Sequence, residues 1–324
     1  MSMRDTPSVL PHGDRAVAVV AEDLAGMRSQ AFGLAARAGM DPFFCPVRAR
    51  GLWGQVPAAW WPAPLRAIDP LPLDAGAAGL VFSVGGTGGA VGAALRDSAR
   101  RVVQIQNPRM RLDRFDLVVA NRHDEISGPN VLLSRTALHG VSPERLAAAR
   151  AEWQPRLAHL PRPLVAVLLG GSNGRFRLDE AVAARLAGQL AEMMRTDGVG
   201  VAVTPSRRTG DGVCRIVREA LSPLGGWVWD MQGDNPYLGL LACADAVVVT
   251  QDSVSMVSEA VAGTAPVMVV DLPGRSRRIG LFLRELAAAG RIRRFAGRME
   301  DWPVTPLDDT IEVAESMCRR LGLH

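Results

Sequence analysis

Three runs of small and polar residues each follow an apolar stretch, and each could hold an anionic group. In one of them the apolar residues 247–249 lead into Thr250, Asp252, Ser253 and Ser255. A helix that begins near Asp252 or Ser253 presents unpaired N–H groups and the positive end of its dipole, which suits a phosphate. The two serine hydroxyls would add donors. The alternative is that Asp252 or Ser253 only caps the helix.

One carboxylate follows this turn at helical spacing. Glu259 lies four residues after Ser255 and therefore on the same helical face. It could accept hydrogen bonds from both hydroxyls of a ribose whose phosphates rest on the preceding turn. The alternative is an ordinary solvated helix residue, and this stretch alone does not separate the two interpretations.

The other two runs are GGSNG (residues 170–174) and SRR (residues 206–208). Paired glycines let a backbone approach a ligand closely, and Ser172 and Asn173 could donate to an anionic oxygen. The GK[ST] ending of a Walker loop is missing. Arginine forks suit phosphate, although exposed arginines are also typical of a solvated face. Three such runs in one half of the chain favour a bound nucleoside diphosphate.

Strand-like apolar runs alternate with helical patterns along nearly the whole chain. The runs are continuously apolar, as expected for parallel strands covered on both faces. Candidate strands are 16–21, 79–84, 101–106, 115–120, 163–170, 200–205, 227–230, 246–250 and 266–271. Between them lie amphipathic stretches such as 179–195. The alternation predicts an α/β protein with doubly wound sheets, whose ligands bind beyond the carboxyl ends of the strands.

Bulk composition limits the class of protein. With 324 residues, 48% hydrophobic and 22% charged, the chain is typical of a globular protein with two domains. All 37 basic residues are arginine and the net charge is only +4, so no nucleic-acid partner is expected. The four cysteines form no CxxC or Cys/His cluster, which indicates reduced thiols in a cytoplasmic protein. The apolar run 16–21 is too short for a signal peptide or a membrane span.

Several ordered motifs resemble one known family. They are QIQNPR (104–109), FDLVVANRHDEISGPNVL (115–132), ALHGV (137–141), GGSNG (170–174), TPSRRT (204–209) and NPYLGLLACADAVVVTQDSVSMVSEA (235–260). In this order they resemble the elongated-mitochondria fission-factor family, and its bacterial members in particular. That family is similar to the GT-B glycosyltransferases.

The resemblance implies two doubly wound Rossmann-like domains facing a cleft. The expected domains are an acceptor-side domain (1–158), a nucleotide-binding domain (159–305) and a C-terminal segment (306–324) whose helix packs back onto the first domain. The second half is similar to the peptidoglycan N-acetylglucosaminyltransferase, where a GGSxG loop and a helix-borne glutamate hold the UDP-sugar. The implied nucleotide site comprises Gly171, Ser172, Asn173, Ser206, Arg207, Arg208, Thr250, Asp252, Ser253, Ser255, Met256 and Glu259.

Glycosyl transfer needs a base for the acceptor hydroxyl and stabilisation of the departing diphosphate. His123 is the strongest candidate base, because it follows the predicted strand 115–120 at its carboxyl end. Asp124 is an alternative base, and a purely structural role for the histidine stays open. No DxD motif is present, so neither a metal nor another cofactor is expected. Hydrogen-bond donors would then stabilise the leaving group, as is typical of GT-B enzymes.

Three tryptophans, Trp53, Trp60 and Trp61, lie close to Arg66 in the sequence. Tryptophan with arginine suits a membrane interface or a lipid acceptor. Core packing or a subunit contact is the alternative, because three nearby prolines prevent a long amphipathic helix. Peripheral association with the inner membrane therefore stays open for a cytoplasmic protein.

The leading hypothesis is a metal-independent glycosyltransferase that uses a nucleotide sugar such as a UDP-sugar. Its acceptor would be lipid-linked or presented at a membrane surface. One alternative is a non-catalytic adaptor, as the resemblance implies for plant relatives that recruit a dynamin-related GTPase to mitochondria. Another is a nucleotide-sugar epimerase.

Overall fold

The computed structural model describes residues 15–72 and 78–323. The N-terminal segment 1–14 lies outside the described residues. The described chain divides into two compact units, one of residues 15–140 with 309–323 and one of residues 141–308. None of the helices described in either unit is long and apolar enough to cross a membrane.

The first unit is built on a six-stranded parallel sheet. Its elements are β1 (Ala16–Ala21), α1 (Ala25–Arg37), β2 (Asp41–Pro46), β3 (Leu80–Val84), α2 (Gly85–Leu95), β4 (Arg101–Ile105), β5 (Leu117–Asn121) and β6 (Val131–Ser134). The strands are ordered β2-β1-β3-β4-β5-β6. The strand order reverses between β1 and β3, which is the switch point of a flavodoxin-like sheet.

The second unit contains another six-stranded parallel sheet. Its elements are α3 (Pro143–Leu157), β7 (Leu164–Leu169), α4 (Glu180–Asp197), β8 (Gly200–Pro205), α5 (Asp211–Leu221), β9 (Trp227–Val228), α6 (Tyr237–Cys243), β10 (Ala246–Thr250), α7 (Val254–Val261), β11 (Val267–Val270), α8 (Arg277–Ala288) and β12 (Ile292–Arg294). The order β12-β11-β10-β7-β8-β9 places the switch point between β7 and β10. The prediction of an α/β fold with two doubly wound sheets is confirmed.

Strand β7 illustrates why these runs are apolar throughout. Val165, Val167 and Leu169 pack in the apolar layer that contains Leu190 of α4, and the intervening residues pack in the opposite layer. Both faces of a central strand are therefore removed from water, so alternation with polar residues is absent.

Helix α3 belongs to the second unit because it packs along α6, where the backbone of Gly239 lies against the Trp153 ring. The unit thus begins near the start of α3, whereas the sequence-based boundary at 158/159 falls after its end. The chain then returns to the first unit with α9 (Thr310–Leu321), which packs on α1 and β6.

Asp309 fixes the start of α9. Its carboxylate accepts hydrogen bonds from the backbone N–H of Arg135 (2.5 Å) and from the Nε of the same residue (3.1 Å). Burial alone would raise the pKa of Asp309, but the hydrogen bonds and charge of Arg135 outweigh it and hold the pKa below its ordinary value of 3.8. The ion pair therefore stabilises the attachment of α9 to the rest of the unit.

We expect Asp309→Ala to lower the free energy of unfolding by about 1–3 kcal/mol at pH 7. The decrease should fall in the lower half of that range, because about a third of the Arg135 side chain is exposed and solvent weakens the ion pair. Since the folded-state pKa is lowered, the stabilisation is present above 3.8 and is lost as the pH falls through the folded-state value. Urea unfolding at pH 7 and pH 3 should therefore show a smaller difference between wild type and variant at pH 3. Glu315→Ala, at an exposed α9 carboxylate, is the control and should have little effect.

Candidate functional site

Three loops meet at the switch point of the second sheet. They are the glycine loop (residues 170–174) after β7, the arginine loop (206–209) after β8 and the serine loop (250–255) after β10. Neighbouring parallel strands end at the same edge, so the three polar runs of the sequence lie side by side.

Asp252 joins the three loops. Its Oδ2 accepts hydrogen bonds from the Gly171 backbone N–H (3.1 Å) and from Arg208 Nη2 (2.9 Å). Its Oδ1 accepts one from the Thr250 hydroxyl (2.7 Å). The side chain is completely buried. Asp252 is thus occupied in positioning the loops, and the residue that caps α7 is Ser253.

The glycine loop packs too closely for any side chain at its first two positions. A Cβ on Gly170 would overlap the Asp252 carboxylate, and a Cβ on Gly171 would overlap the carbonyl oxygen of Arg208. The Gly170 N–H also donates to the Thr250 hydroxyl at 2.8 Å. The double glycine is therefore required by the contact between loops.

Ser172 and Asn173 use their side chains within the glycine loop. The Ser172 hydroxyl accepts from the Leu178 N–H at 2.9 Å, and the Asn173 Oδ1 accepts from two later backbone N–H groups, each at 2.9 Å. Among the described residues, the backbone N–H groups of Ser172 and Gly174 have no hydrogen-bond partner. The Ser172 and Asn173 side chains are thus engaged within the protein, whereas these two backbone donors are not.

In the arginine loop, two residues face inward and two outward. The Ser206 hydroxyl donates to the Gly170 carbonyl at 2.9 Å, and the buried Thr209 hydroxyl donates to the Leu169 carbonyl at 3.1 Å. Arg208 is half-exposed and paired with Asp252. Arg207 is exposed and makes no ion pair within the part of the chain that the structure describes.

Helix α7 is fixed at both ends. The Ser253 hydroxyl accepts from the Met256 N–H at 3.4 Å and lies 3.2 Å from the Ser255 hydroxyl. At the other end, buried Arg291 donates to the Val261 carbonyl at 2.9 Å; burial lowers the pKa of its guanidinium to about 10, so it remains charged at neutral pH. The Met256 side chain is half-buried against the apolar layer.

Glu259 has a partner that sequence reasoning missed. The hydroxyl of Tyr237, at the start of α6, donates to Glu259 Oε2 at 2.6 Å. Burial and the neighbouring Glu259 charge raise the pKa of Tyr237 well above its ordinary value of 10.0. The phenol therefore stays protonated and orients the carboxylate. The only sequence signal was that Tyr237 is the single tyrosine of the chain.

The candidate bases lie in the first unit. His123 is buried and Asp124 half-buried, in a short turn (Arg122–Asp124) directly after β5. Three non-glycine residues with left-handed backbone, Gln106, Arg109 and Glu125, follow β4 and β5. Each such conformation costs about 1–3 kcal/mol, and they cluster at functional sites. Nothing in the sequence had marked these three backbone positions.

Buried Gln104 stabilises this edge of the first sheet. Its Nε2 donates to the carbonyls of Gly85 (3.0 Å) and Ile105 (2.8 Å), while its Oε1 accepts from the Ser83 hydroxyl at 2.6 Å. The amide thereby fixes the start of the QIQNPR motif next to the glycine-rich beginning of α2.

We expect Gly171→Ala to lower the free energy of unfolding by about 1–3 kcal/mol, because the added Cβ must displace the backbone of Arg208. Gly174→Ala is the matched control in the same loop, since nothing lies within 4 Å of a Cβ there. Urea unfolding of the two variants should separate them, and equal stability would contradict the close contact between the glycine and arginine loops.

Several solved structures have a similar fold, and two of them are UDP-GlcNAc 2-epimerases. The UDP-GlcNAc 2-epimerase of Methanocaldococcus jannaschii has a TM-score of 0.54 and 10% identity, covering 95% of this chain and 100% of its own. The Neisseria meningitidis UDP-GlcNAc 2-epimerase bound to UDP-GlcNAc has a TM-score of 0.53 and 12% identity, covering 94% of this chain and 91% of its own. MurG of Acinetobacter baumannii has a TM-score of 0.50 and 14% identity, covering 95% of this chain and 92% of its own. At these identities the likeness shows the fold, which is that of GT-B glycosyltransferases and related epimerases.

Sequence relatives identify the family. The mitochondrial fission protein ELM1 of Arabidopsis thaliana is 35% identical over 248 residues, which are 68% of this chain and 58% of the plant protein. The chain thus spans little more than half of that relative. An uncharacterized protein of Rickettsia prowazekii (strain Madrid E) is 26% identical over 255 residues, which cover 66% of this chain and 71% of that protein. The family predicted from the motifs is confirmed: a family model described as "Mitochondrial fission ELM1" matches residues 25–321, and the chain belongs to that family.

Proposed function

We propose that the second unit binds a nucleotide sugar, such as a UDP-sugar, and that the protein is a metal-independent glycosyltransferase. The observation that carries the binding proposal is the convergence of the three loops on Asp252 at the switch point. Ligands of doubly wound sheets bind at this position, where helix N-termini and loop N–H groups attract phosphate.

The diphosphate would rest on backbone donors. The N–H groups of Ser172 and Gly174 and those of Val254 and Ser255, in the first turn of α7, lie at the same edge of the sheet. The Ser255 hydroxyl adds a donor, and Arg207 supplies a positive charge. Arg208 already pairs with Asp252, so we assign it to positioning the loops.

The ribose would bind Glu259. Tyr237 holds one carboxylate oxygen and thereby sets the orientation of the other. Support for a uridine nucleotide comes from the neighbours in fold, one of which was solved with UDP-GlcNAc and another, Os79 from O. sativa, with UDP.

In the transfer step, His123 would take the proton of an acceptor hydroxyl as its oxygen bonds to the anomeric carbon. The bond from that carbon to the diphosphate breaks, and the loop donors stabilise the charge on the leaving UDP. Asp124 is the alternative base. We propose a sugar or lipid-linked acceptor for a cytoplasmic protein.

A second candidate is a non-catalytic adaptor, favoured by the identity of 35% to a protein named for mitochondrial fission. An adaptor would bind nucleotide, if at all, without releasing UDP from a donor. An epimerase, the class of two of the fold neighbours, would convert the sugar instead. Product analysis after incubation with a panel of UDP-sugars and acceptors distinguishes the three.

We expect Glu259→Ala to weaken UDP binding by about 1–3 kcal/mol, the contribution of a charged hydrogen bond. Isothermal titration calorimetry with UDP and 2′-deoxy-UDP checks the reason: wild type should prefer UDP, and the variant should lose that preference. Glu219→Ala, an exposed carboxylate near the end of α5, is the control. Unchanged UDP affinity in a folded Glu259→Ala protein would exclude the ribose role.

We expect His123→Ala or Asp124→Ala to reduce turnover by about 10²–10⁴, the usual contribution of a positioned base. UDP affinity should change little, because both residues belong to the first unit and the nucleotide loops to the second. UDP release from the donor panel is the measurement. No release by wild type with any donor and acceptor, despite UDP binding, would favour the adaptor.

A further inference from the structure

Several large apolar side chains are exposed in the segment between β2 and β3 of the first unit. It is carried by three short 3-10 turns, Gly51–Gln55, Ala58–Trp60 and Pro64–Arg66. Leu52 is 77% exposed, Trp60 75%, Leu65 46% and Trp53 37%. We call these four residues the tryptophan patch. Large side chains that stay this exposed in one segment indicate an interaction site.

A fixed scaffold presents the tryptophan patch. Trp61 is buried, donates its indole N–H to the Val56 carbonyl at 3.1 Å, and lies edge-on to the Trp53 ring with centroids 6.3 Å apart. The segment is closed where the Arg50 N–H donates to the Ala67 carbonyl at 2.9 Å. Of the clustered tryptophans, Trp61 therefore belongs to the core, whereas Trp60 is exposed to solvent.

The segment that carries the tryptophan patch is basic. Residues 42–68 contain no acidic residue and three exposed arginines, Arg48, Arg50 and Arg66. Arg50 lies 3.7 Å from Asp69, whereas Arg48 and Arg66 have no ion-pair partner among residues 15–72 and 78–323. Two of the three arginines of this segment therefore carry a positive charge that no described residue pairs.

We propose that the tryptophan patch binds the surface of a membrane that contains anionic lipids. Trp60 and Leu52 would enter the interfacial layer of the bilayer. Tryptophan prefers this layer because its ring is apolar and its N–H is polar. The arginines would lie at the level of the lipid phosphates, which attract them electrostatically. A negatively charged bilayer complements both the apolar centre and the basic border. The proposal does not depend on the nucleotide site.

The test uses the full chain with vesicles of phosphatidylglycerol and phosphatidylcholine, and with vesicles of phosphatidylcholine alone. Wild type should cosediment with the anionic vesicles, more weakly as salt is raised. Leu52→Ser with Trp60→Ser should reduce the partition coefficient about tenfold or more. Arg48→Ser and Arg66→Ser should each reduce it about fivefold, on the anionic vesicles only.

Leu133→Ser is the matched control, because Leu133 is 45% exposed on β6, outside the tryptophan patch. It should bind vesicles like wild type. Trp60→Phe should keep most of the binding but lose much of the tryptophan quenching by bromine-labelled acyl chains.

Two results would overturn the proposal. One is equal binding of wild type and the Leu52/Trp60 variant, both folded by circular dichroism. The other is a wild-type dimer that Trp60→Ser converts to monomer, together with no vesicle binding, which would assign the patch to a second copy of the chain.

Discussion

One buried carboxylate holds together the edge of the second sheet that carries the candidate site. A buried charge is costly unless donors surround it, and Asp252 has the Gly171 N–H, the Thr250 hydroxyl and the Arg208 guanidinium. Satisfying it requires all three loops to be in place at once. The double glycine follows from the same constraint, because the loop can reach the carboxylate only where no side chain intervenes. The shape of the candidate nucleotide site is therefore set by a residue that is itself inaccessible to a ligand.

The sheets could be predicted largely because their central strands are buried on both faces. The strands that sequence reasoning missed, β2, β6 and β12, all lie at sheet edges. An edge strand pairs with only one neighbouring strand and is open on its other side. Its sequence therefore contains fewer consecutive apolar residues than that of a central strand. β2 even contains Pro42 and Pro46, which an edge strand tolerates because not every N–H must be paired. β12 has only one buried residue, Ile292.

That the three polar runs lie side by side was predictable, but the contacts of their side chains were not. Polar residues at strand ends mark the edge, since any parallel sheet brings them together. Whether a hydroxyl bonds a ligand or its own loop depends on geometry, as Ser172 shows by bonding Leu178. The link from Tyr237 to Glu259 spans a helix and a strand, and nothing in the spacing marks it. The contacts among the three loops are features of the fold itself.

The return of α9 to the first unit has a consequence for synthesis on the ribosome. Residues 141–308 form a contiguous unit that can fold as soon as it has left the exit tunnel. The first unit cannot be completed then, because Val313 and Met317 of α9 fill part of its apolar core against α1. Residues 15–140 therefore lack α9, and the surface that α9 covers stays exposed, while residues 141–308 are translated. The segment synthesised first is thus among the last to reach its final state, and its exposed apolar groove would be a target for chaperones during that interval.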